Sequence, residues 1–254
     1  MEDRNFDDLA DRFSERIYNT EKGRLRLEIL QEDLAELAAG QALNIWDAGC
    51  GLGQISLWLA QQGHKLTLCD ISEKLLNKAR SNFAAAGVPA DLYHQSAQSL
   101  ATVLPKFDLV INHAVLEWLA EPMAGLQVIA GKVKAGGYLS LMFYNRNAMV
   151  YQNVLRGGWR LPAIIDDRYI GAGNRLSPPQ PLFPHLVSEW LSDNGFQIIS
   201  HSGIRVFSDY LPASARAETD AGDLYQLEKQ YCRLPAYRDL GRYVHLLTKK
   251  SASN

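Results

Sequence analysis

The stretch of sequence that decides the fold is Asn44-Ile45-Trp46-Asp47-Ala48-Gly49-Cys50-Gly51-Leu52-Gly53-Gln54. An apolar run leads into an acid, three glycines follow at alternate positions, and residues 55 to 60 have a helical pattern. Each glycine costs roughly 0.5–1 kcal/mol of conformational entropy relative to alanine and is favoured where the backbone needs positive φ or close contact with a ligand. The stretch therefore predicts a strand, a tight loop and a helix, with a ligand bound against the loop.

The glycine spacing narrows the choice of ligand. An ordinary connection between a strand and a helix needs a single glycine, whereas this loop has three. The dinucleotide fingerprint G-x-G-x-x-G, started at Gly49, requires a glycine at the position occupied by Gln54. The pattern D-x-G-x-G-x-G, which begins at Asp47, resembles instead the first motif of the class I S-adenosylmethionine-dependent methyltransferases.

The composition is that of a globular chain without a strong charge bias. With 254 residues, of which 47% are hydrophobic and 21% charged, it is long enough for one large α/β domain. The formal charge is −2, so a nucleic-acid partner would need a local basic surface. Three scattered cysteines form neither a disulfide framework nor a C-x-x-C metal pair. The acidic N-terminus is unlike a signal peptide and no apolar run reaches the ~18 residues of a membrane span, so we expect a cytoplasmic protein.

The apolar spacing before the glycine loop predicts two helices between Phe6 and Ala38. A polar joint, residues 18 to 26, separates them. If these helices fold over the carboxyl edge of the sheet, Arg26 lies near the loop and is a candidate for binding a ligand carboxylate. The alternative is a solvated surface arginine.

The second predicted strand, Lys65–Asp70, ends in an acid. Open parallel sheets bind ligands at the carboxyl ends of their strands, and an acid about 20 residues beyond a glycine loop can accept both ribose hydroxyls of a nucleoside. The alternative role of Asp70 is to cap the helix that starts near Ser72, although Ser72 is itself the more natural cap.

Two further strands end in polar residues. A short third strand, Ala90–His94, is followed by the polar turn Gln95-Ser96-Ala97-Gln98, where an adenine edge could meet backbone and amide groups. A fourth strand, Phe107–Asn112, is predicted from its β-branched and apolar content. His113 then lies at the ligand-binding edge of the sheet.

An arginine-rich insert follows the fifth predicted strand, Tyr138–Phe143, which itself follows a helix predicted over 122–134. The insert, Tyr144–Leu176, has five arginines and two aspartates, a local charge of +3, with aromatic residues between them. Arginine and aromatic side chains suit a phosphate backbone and unstacked bases, although a lid over an anionic small molecule would have the same composition. A helix over 185–193 and two more strands complete the pattern.

Segments along nearly the whole chain resemble the bacterial tRNA 5-carboxymethoxyuridine methyltransferases. They are Asp3-Arg-Asn-Phe-Asp-Asp-Leu-Ala, Ile17-Tyr-Asn-Thr-Glu-Lys-Gly-Arg-Leu-Arg, His113-Ala-Val-Leu-Glu-Trp, Leu139-Ser-Leu-Met-Phe-Tyr-Asn, Arg205-Val-Phe-Ser-Asp-Tyr-Leu and Gly241-Arg-Tyr-Val-His. The resemblance implies an α/β, Rossmann-like class I methyltransferase with a seven-stranded, mostly parallel sheet, an N-terminal helical cap and an insert after strand 5. We expect a single domain, 1–254, made of helices (1–40), a cofactor-binding core (43–143), the substrate-side insert (144–181) and the C-terminal part of the sheet (182–254).

The resemblance also implies an activity and a cofactor. The family methylates the carboxylate of 5-carboxymethoxyuridine at the tRNA wobble position (U34) and converts S-adenosylmethionine to S-adenosylhomocysteine. A tRNA anticodon stem-loop is the implied partner, with no metal, membrane or obligate protein partner. The implied cofactor-binding residues are Arg26, Asp47, Gly49, Cys50, Gly51, Asp70, Ala97, Gln98 and His113. One departure is Cys50, because the family loop can have glycine there.

The acceptor chemistry indicates what the site must do. A carboxylate is ionised at neutral pH, by analogy with Asp and Glu, so methyl transfer to it requires no general base. His113 is therefore assigned to cofactor binding, and the candidates for positioning the substrate are Tyr144, Asn145, Arg146 and Arg205. Two alternatives stay open: a small-molecule carboxyl or hydroxyl methyltransferase, and a catalytically silent nucleotide-binding or scaffold protein of the same fold.

Overall fold

A seven-stranded sheet organises the computed structural model, which describes residues 3–8, 20–166 and 178–252. The strands are β1 (Asn44–Ala48), β2 (Lys65–Asp70), β3 (Asp91–His94), β4 (Phe107–His113), β5 (Val133–Tyr144), β6 (Phe196–Ile204) and β7 (Tyr243–Lys250). Their order is β3-β2-β1-β4-β5-β7-β6. Strands β1 to β5 pair in parallel, and β7 is antiparallel to both β5 and β6. The prediction of a seven-stranded, mostly parallel sheet is confirmed.

Helices cover both faces of this sheet. They are α1 (Glu21–Asp33), α2 (Ala35–Ala38), α3 (Gln54–Gln61), α4 (Glu73–Ala86), α5 (Ala97–Ala101), α6 (Pro122–Gly131), α7 (Arg146–Arg156), α8 (Leu161–Ile165), α9 (Pro184–Asp193), α10 (Ala213–Glu218), α11 (Ala221–Tyr231) and α12 (Pro235–Arg238). Short 3₁₀ turns cover Leu116–Trp118 and Gly158–Arg160. Side-chain caps begin several of the helices: Ser72 accepts a hydrogen bond from the Leu75 amide at the start of α4, and Asn145 accepts one from the Asn147 amide at the start of α7.

The core lies on the two faces of the sheet, because successive strand residues point to opposite sides. In β1, Trp46 packs into one apolar cluster and Ile45 into the other, and neither is exposed to solvent. The apolar runs of the central strands are thus buried on both sides. The side chains at the carboxyl ends of these strands are the ones placed to meet a ligand.

Three sequence predictions need correction. The helix predicted over 122–134 ends at Gly131, because Val133 already pairs with Phe107 and begins β5. The turn at 95–98 is partly helical, since Ser96 caps α5 and Ala97 is its first residue. Residues 6–8 are not helical, and the remainder of the predicted first helix, 9–19, lies outside the described residues, as do the insert residues 167–177 with Asp167, Arg168, Tyr169 and Arg175.

No helix within the described ranges is both long and apolar enough to cross a bilayer.

Candidate functional site

A cavity of about 300 Å³ opens at the carboxyl ends of β1, β2 and β4. This volume is at the lower end of the range typical of small-molecule sites, about 300–1,000 Å³. The implied cofactor residues line it together: Arg26, Asp47, Gly49, Cys50, Gly51, Asp70, Ala97, Gln98 and His113. The sequence-predicted residues from α1, the glycine loop and three strand ends thus face one space.

The glycine loop, residues 49–53, is bound to the neighbouring strand β2. The amides of Gly49 and Cys50 both donate to the Cys69 carbonyl at 2.9 Å. The three glycines have φ values of +93°, +54° and +67°, a region that side chains disfavour. A Cβ at Gly49 would lie 2.5 Å from a Val115 methyl carbon, so this position has no room for one. Gly49 and Gly51 therefore line the cavity with backbone alone, on either side of Cys50.

Asp70 connects this loop to the start of α4. One carboxylate oxygen accepts the Gly51 amide at 2.8 Å and the other accepts the Ser72 amide at 2.8 Å. Burial raises the pKa of Asp70, whereas these two backbone hydrogen bonds act to lower it. The helix cap is Ser72, not Asp70, and each carboxylate oxygen keeps a lone pair for a donor in the cavity.

Asp47 is a buried carboxyl at the end of β1. Ser56 donates to one of its oxygens, but burial and the neighbouring charge of Asp70 raise its pKa to about 7. Its usual pKa is 3.8. Between these two values the folded protein holds a proton that the unfolded chain has lost, so stability falls as pH rises through this window.

We expect Asp47→Asn to stabilise the ligand-free protein, and more so at high pH. The amide can still accept from Ser56 but does not ionise, so the loss of stability between pH 4 and pH 7 disappears. The melting temperature should exceed that of the parent by about 8–16 °C at pH 8, since about three pKa units correspond to about 4 kcal/mol, with a smaller difference at pH 5. Differential scanning calorimetry at the two pH values measures this. An equal difference at both would contradict a raised Asp47 pKa.

Cys50 occupies the middle of the loop as a buried thiol. Burial, together with the charges of Asp47 and Asp70, raises its pKa well above the usual value. The group is therefore a neutral thiol at physiological pH and lacks the thiolate character of a reactive cysteine. Its side chain lines the cavity and its amide contact to Cys69 does not depend on the residue type.

The N-terminal segment, residues 3–8, spans the cavity. The Arg4 amide donates to the Trp118 carbonyl, and the Asn5 side chain donates to the Ile71 carbonyl. Asp3 accepts hydrogen bonds from the Gln98 side-chain amide and the Ala120 amide. The side chain of Gln98 is thus held by this segment, and Asp3, Arg4 and Phe6 join the lining. This segment resembles the family in sequence, but none of its residues was predicted to lie in the site.

His113, Arg26 and Glu117 lie close together near the end of β4. Burial is the largest cause that lowers the pKa of His113 well below its usual value, and the charge of Arg26 acts in the same direction, so the ring is neutral. Burial raises the pKa of Glu117 to about 8, which keeps this carboxyl protonated at neutral pH. Arg26 is therefore the charged member of the group, and it is buried at the cavity wall rather than solvated.

Several buried polar atoms of the cavity lining lack a hydrogen-bond partner among the described residues. They include Nδ1 of His113, Oε1 of Gln54 and Oδ1 of Asn112, which are inaccessible to bulk solvent. Buried polar groups in folded proteins are almost always paired, so such atoms point to a ligand. In the sequence, Gln54 excludes the dinucleotide fingerprint, but no sequence pattern indicates that its side chain contacts a ligand.

The far end of the cavity is aromatic and cationic. The ring of Tyr144 lies 5.4 Å from that of Tyr243, and the Arg242 guanidinium lies 4.7 Å from the Tyr144 ring centroid. Arg205, with a positive φ of 65°, lies over Tyr243 at 5.5 Å. Burial raises the pKa of Tyr144 to about 12, so its hydroxyl keeps its proton.

Asp209 organises the cations at this end. Its carboxylate lies 3.3 Å from Nε of Arg205, 2.6 Å from Nζ of Lys22 and 4.0 Å from Nε of Arg242. Burial acts to raise the pKa of Asp209, but these cations hold it below the usual value. Three positive charges surround one negative charge, which suits an anionic ligand. Arg242 and Tyr243 belong to a segment that resembles the family in sequence, but neither was predicted to lie in the site.

Two predicted substrate residues, Asn145 and Arg146, lie outside this cavity. The Asn145 side chain donates to the Asp239 and Gly241 carbonyls at 2.8 Å and caps α7. Arg146 is buried beside Met149 and borders a separate shallow pocket near residues 179–183. Both therefore stay predictions that the geometry of this cavity does not support, whereas Tyr144 and Arg205 line it.

Among the described residues, no three His, Cys, Asp or Glu side chains lie together in a way that could hold a metal ion.

Comparison with known proteins identifies relatives along the whole chain. Residues 46–141 match the family described as a methyltransferase domain. The chain is 39% identical over 265 residues to the tRNA 5-carboxymethoxyuridine methyltransferase of Escherichia coli K12, which covers 100% of this chain and 98% of that protein. It is 29% identical over 181 residues to the ubiquinone biosynthesis O-methyltransferase of Xanthomonas euvesicatoria pv. vesicatoria, which covers 71% of this chain and 72% of that protein.

A solved structure has the same fold. The magnesium protoporphyrin IX methyltransferase of Synechocystis PCC 6803 with bound SAH aligns with a TM-score of 0.64 and 19% identity, over 97% of this chain and 96% of that one. At this identity the likeness shows the class I methyltransferase fold alone.

Proposed function

The chain belongs to the tRNA 5-carboxymethoxyuridine methyltransferase family, and from this membership we propose that it esterifies the carboxylate of 5-carboxymethoxyuridine in tRNA, with S-adenosylmethionine as methyl donor. The observation that carries the proposal is the 39% sequence identity to the Escherichia coli K12 methyltransferase, which extends over 100% of this chain and 98% of that protein. The relative is matched through the N-terminal segment, the insert and the last strand as well as the sheet. We further propose that the acceptor is the wobble nucleotide and that the enzyme acts in the cytoplasm.

The cavity residues fit S-adenosylmethionine at both of its ends. Asp70 has lone pairs for the ribose hydroxyls, and Gly49 and Gly51 line the cavity without side chains. At the amino-acid end, Arg26 is a cation suited to the carboxylate, and Nδ1 of His113 is a buried polar atom that the described residues leave unpaired. When bound, the cofactor would supply a methyl group on a sulfonium. The acceptor oxygen would bond to the methyl carbon, and the sulfur would leave in line as a neutral thioether.

The protein's part in the reaction is to orient the acceptor and exclude water. Because the acceptor carboxylate is already ionised, no side chain has to remove a proton. Tyr144 and Arg205, with Arg242 added by the structure, are proposed to hold the carboxylate. Asp209 fixes Arg205 so that the guanidinium is oriented before the substrate arrives. Alignment of this kind can contribute several kcal/mol to a displacement reaction.

The described part of the insert supports an RNA substrate. Trp159 is 65% exposed, and the Arg160 guanidinium lies 4.6 Å from its ring centroid. Tyr151 on α7 is also exposed and packs against Tyr210 at 5.2 Å. A lid over a small molecule would turn such side chains inward, whereas unstacked bases bind to exposed aromatic and arginine planes. We propose that an anticodon stem-loop lies across this surface, with no protein partner required.

We expect Trp159→Ala to raise the KM for tRNA about tenfold, since stacking of one base on an aromatic ring is worth about 1–3 kcal/mol. The dissociation constant for S-adenosylhomocysteine should not change, because Trp159 does not line the cavity. Steady-state kinetics with tRNA and calorimetry with the product measure the two effects. Tyr93→Ala removes a 39% exposed aromatic ring from β3 and is the matched control, with no change in either quantity.

The acceptor is tested directly by labelling. The protein is incubated with methyl-labelled cofactor and either tRNA that carries 5-carboxymethoxyuridine or the free nucleoside, and the product is treated with mild alkali. A methyl ester releases volatile labelled methanol from the tRNA. Alkali-stable label would refute carboxylate methylation. Equal labelling of the free nucleoside would favour the small-molecule alternative.

A further inference from the structure

A line of buried polar side chains runs from α1 through the sheet to the cavity. Nδ1 of His245 lies 2.7 Å from a carboxylate oxygen of Asp33. The hydroxyl of Ser140 lies 2.8 Å from Nε2 of His245 and 2.8 Å from Nε2 of His113. Ser140 and His245 are fully buried in β5 and β7, and of the four side chains only His113 lines the cavity.

The direction of these hydrogen bonds starts at Asp33. Burial acts to raise its pKa, but the hydrogen bond from His245, together with the charge and hydrogen bonds of Arg233, holds the pKa far below the usual value. The group is therefore a carboxylate and can only accept. One oxygen accepts from Arg233, Ser200 and Ser202, and the other must accept from Nδ1–H of His245.

The proton on Nδ1 leaves Nε2 of a neutral His245 ring as an acceptor. The Asp33 carboxylate is already paired with the Arg233 guanidinium at 2.8 Å. His245 is fully buried, and a ring that carries one proton adds no charge to the pair that Asp33 forms with Arg233. Ser140 therefore donates its only proton to Nε2 of His245.

The hydroxyl oxygen of Ser140 must then accept from His113. Since His113 is neutral, it carries one ring proton, and Ser140 requires that proton on Nε2. Nδ1 consequently presents a lone pair. This is the same buried atom that accepts no hydrogen bond from the described residues.

We propose that Asp33, His245 and Ser140 are positioning residues that hold His113 in its Nε2–H tautomer, so that Nδ1 accepts a hydrogen bond from the ammonium group of the cofactor's amino-acid end. This inference rests on the proposed function for the identity of the cofactor. The two charged groups at the amino-acid end of the cofactor then have different partners. The cation Arg26 suits the carboxylate, and the acceptor Nδ1 of His113 suits the ammonium. Partners behind a ligand-binding histidine act in the same way in metal sites, where they fix the tautomer and the ring orientation.

The tautomer is measured by long-range ¹H–¹⁵N correlation on protein with ¹⁵N-labelled histidine, with and without S-adenosylhomocysteine. In the unliganded parent protein we expect one protonated nitrogen at Nε2 of His113 and an unprotonated Nδ1, whose resonance shifts when the product binds. Ser140→Ala should give a mixture of tautomers. It should also raise the dissociation constant of the product and the cofactor KM about tenfold, the usual weight of one hydrogen bond to a charged group, with kcat within about twofold.

Ser200→Ala is the matched control. It removes a hydroxyl that donates to the same Asp33 carboxylate at 2.8 Å but has no contact with His113. It should leave the tautomer and the product affinity unchanged. An Nδ1–H resonance for His113 in the parent protein would overturn the proposal, as would an unaltered tautomer or affinity in Ser140→Ala. Failure of the parent to bind the product would instead count against the proposed function, while the tautomer of the unliganded protein would still be read.

Discussion

Replacing Asp70 with alanine is expected to weaken S-adenosylhomocysteine binding by at least about a hundredfold. The carboxylate is proposed to accept both ribose hydroxyls, and a hydrogen bond to a charged group is worth about 1.5–3 kcal/mol. Two such bonds correspond to a loss of about 10²-fold to 10⁴-fold in affinity. The change also removes the acceptor for the Gly51 and Ser72 amides, so the loop loses part of its support. Isothermal titration calorimetry measures the affinity.

A control must separate ribose binding from general destabilisation. Asp108→Ala removes a carboxylate that accepts the Asn44 amide at 2.9 Å and pairs with Lys134 at 2.7 Å, at the opposite edge of the sheet. This variant should lose stability but bind the product as the parent does. Circular dichroism and melting temperature establish that Asp70→Ala is folded. Unchanged product affinity in folded Asp70→Ala would eliminate the ribose assignment.

Gly49→Ala is expected to lower the free energy of unfolding by about 2–5 kcal/mol and to weaken product binding at least about tenfold. The backbone φ of +93° costs a residue with a Cβ about 1–2 kcal/mol. The new Cβ would also lie 2.5 Å from Val115, which packs against the core and lines the cavity. Overpacking of this kind typically costs a further 1–3 kcal/mol. Urea denaturation and calorimetry with the product measure the two effects.

Gly63→Ala isolates the steric part of this effect. Gly63 has the same φ of +93°, but nothing lies within 4 Å of a Cβ built there. It should lose only the backbone contribution and keep full product affinity. If the two variants were equally stable and bound the product equally well, the glycine at position 49 would have no role beyond its dihedral angle.

Local patterns predicted the parts of the fold that local chemistry determines. Strand β2 spans the predicted residues, Lys65–Asp70, because both the apolar residues and the acid that ends the strand lie in one short stretch of sequence. The glycine loop and the Ser72 cap followed from residue types alone. The end of α6 could not be predicted in this way. Val133 belongs to β5 because it pairs with Phe107, a tertiary contact, whereas the local sequence suggested that the helix continued to the glycines near Gly136.

The candidate site divides in the same way. Residues that follow parallel strands, such as Asp70 and His113, could be placed at one edge from the strand pattern alone. Asn145 also follows a strand, but its amide caps α7 and binds two carbonyls instead of facing the cavity. Arg242 reaches Tyr144 because β7 runs antiparallel to β5, and no periodicity in either segment indicates that pairing.

The segment that spans the cavity, residues 3–8, has a kinetic consequence. Every ester formed consumes one cofactor, so spent product must leave and a new molecule must enter in each catalytic cycle. The segment is held by the hydrogen bonds already described for Asp3, Arg4 and Asn5, by those that Asp7 accepts from Ser72 and Lys74, and by the edge-to-face contact of Phe6 with Trp118 at 4.8 Å. These contacts lie outside the sheet, so we expect them to open by local unfolding while the sheet stays intact. If exchange of the cofactor requires this opening, its frequency sets an upper limit on turnover.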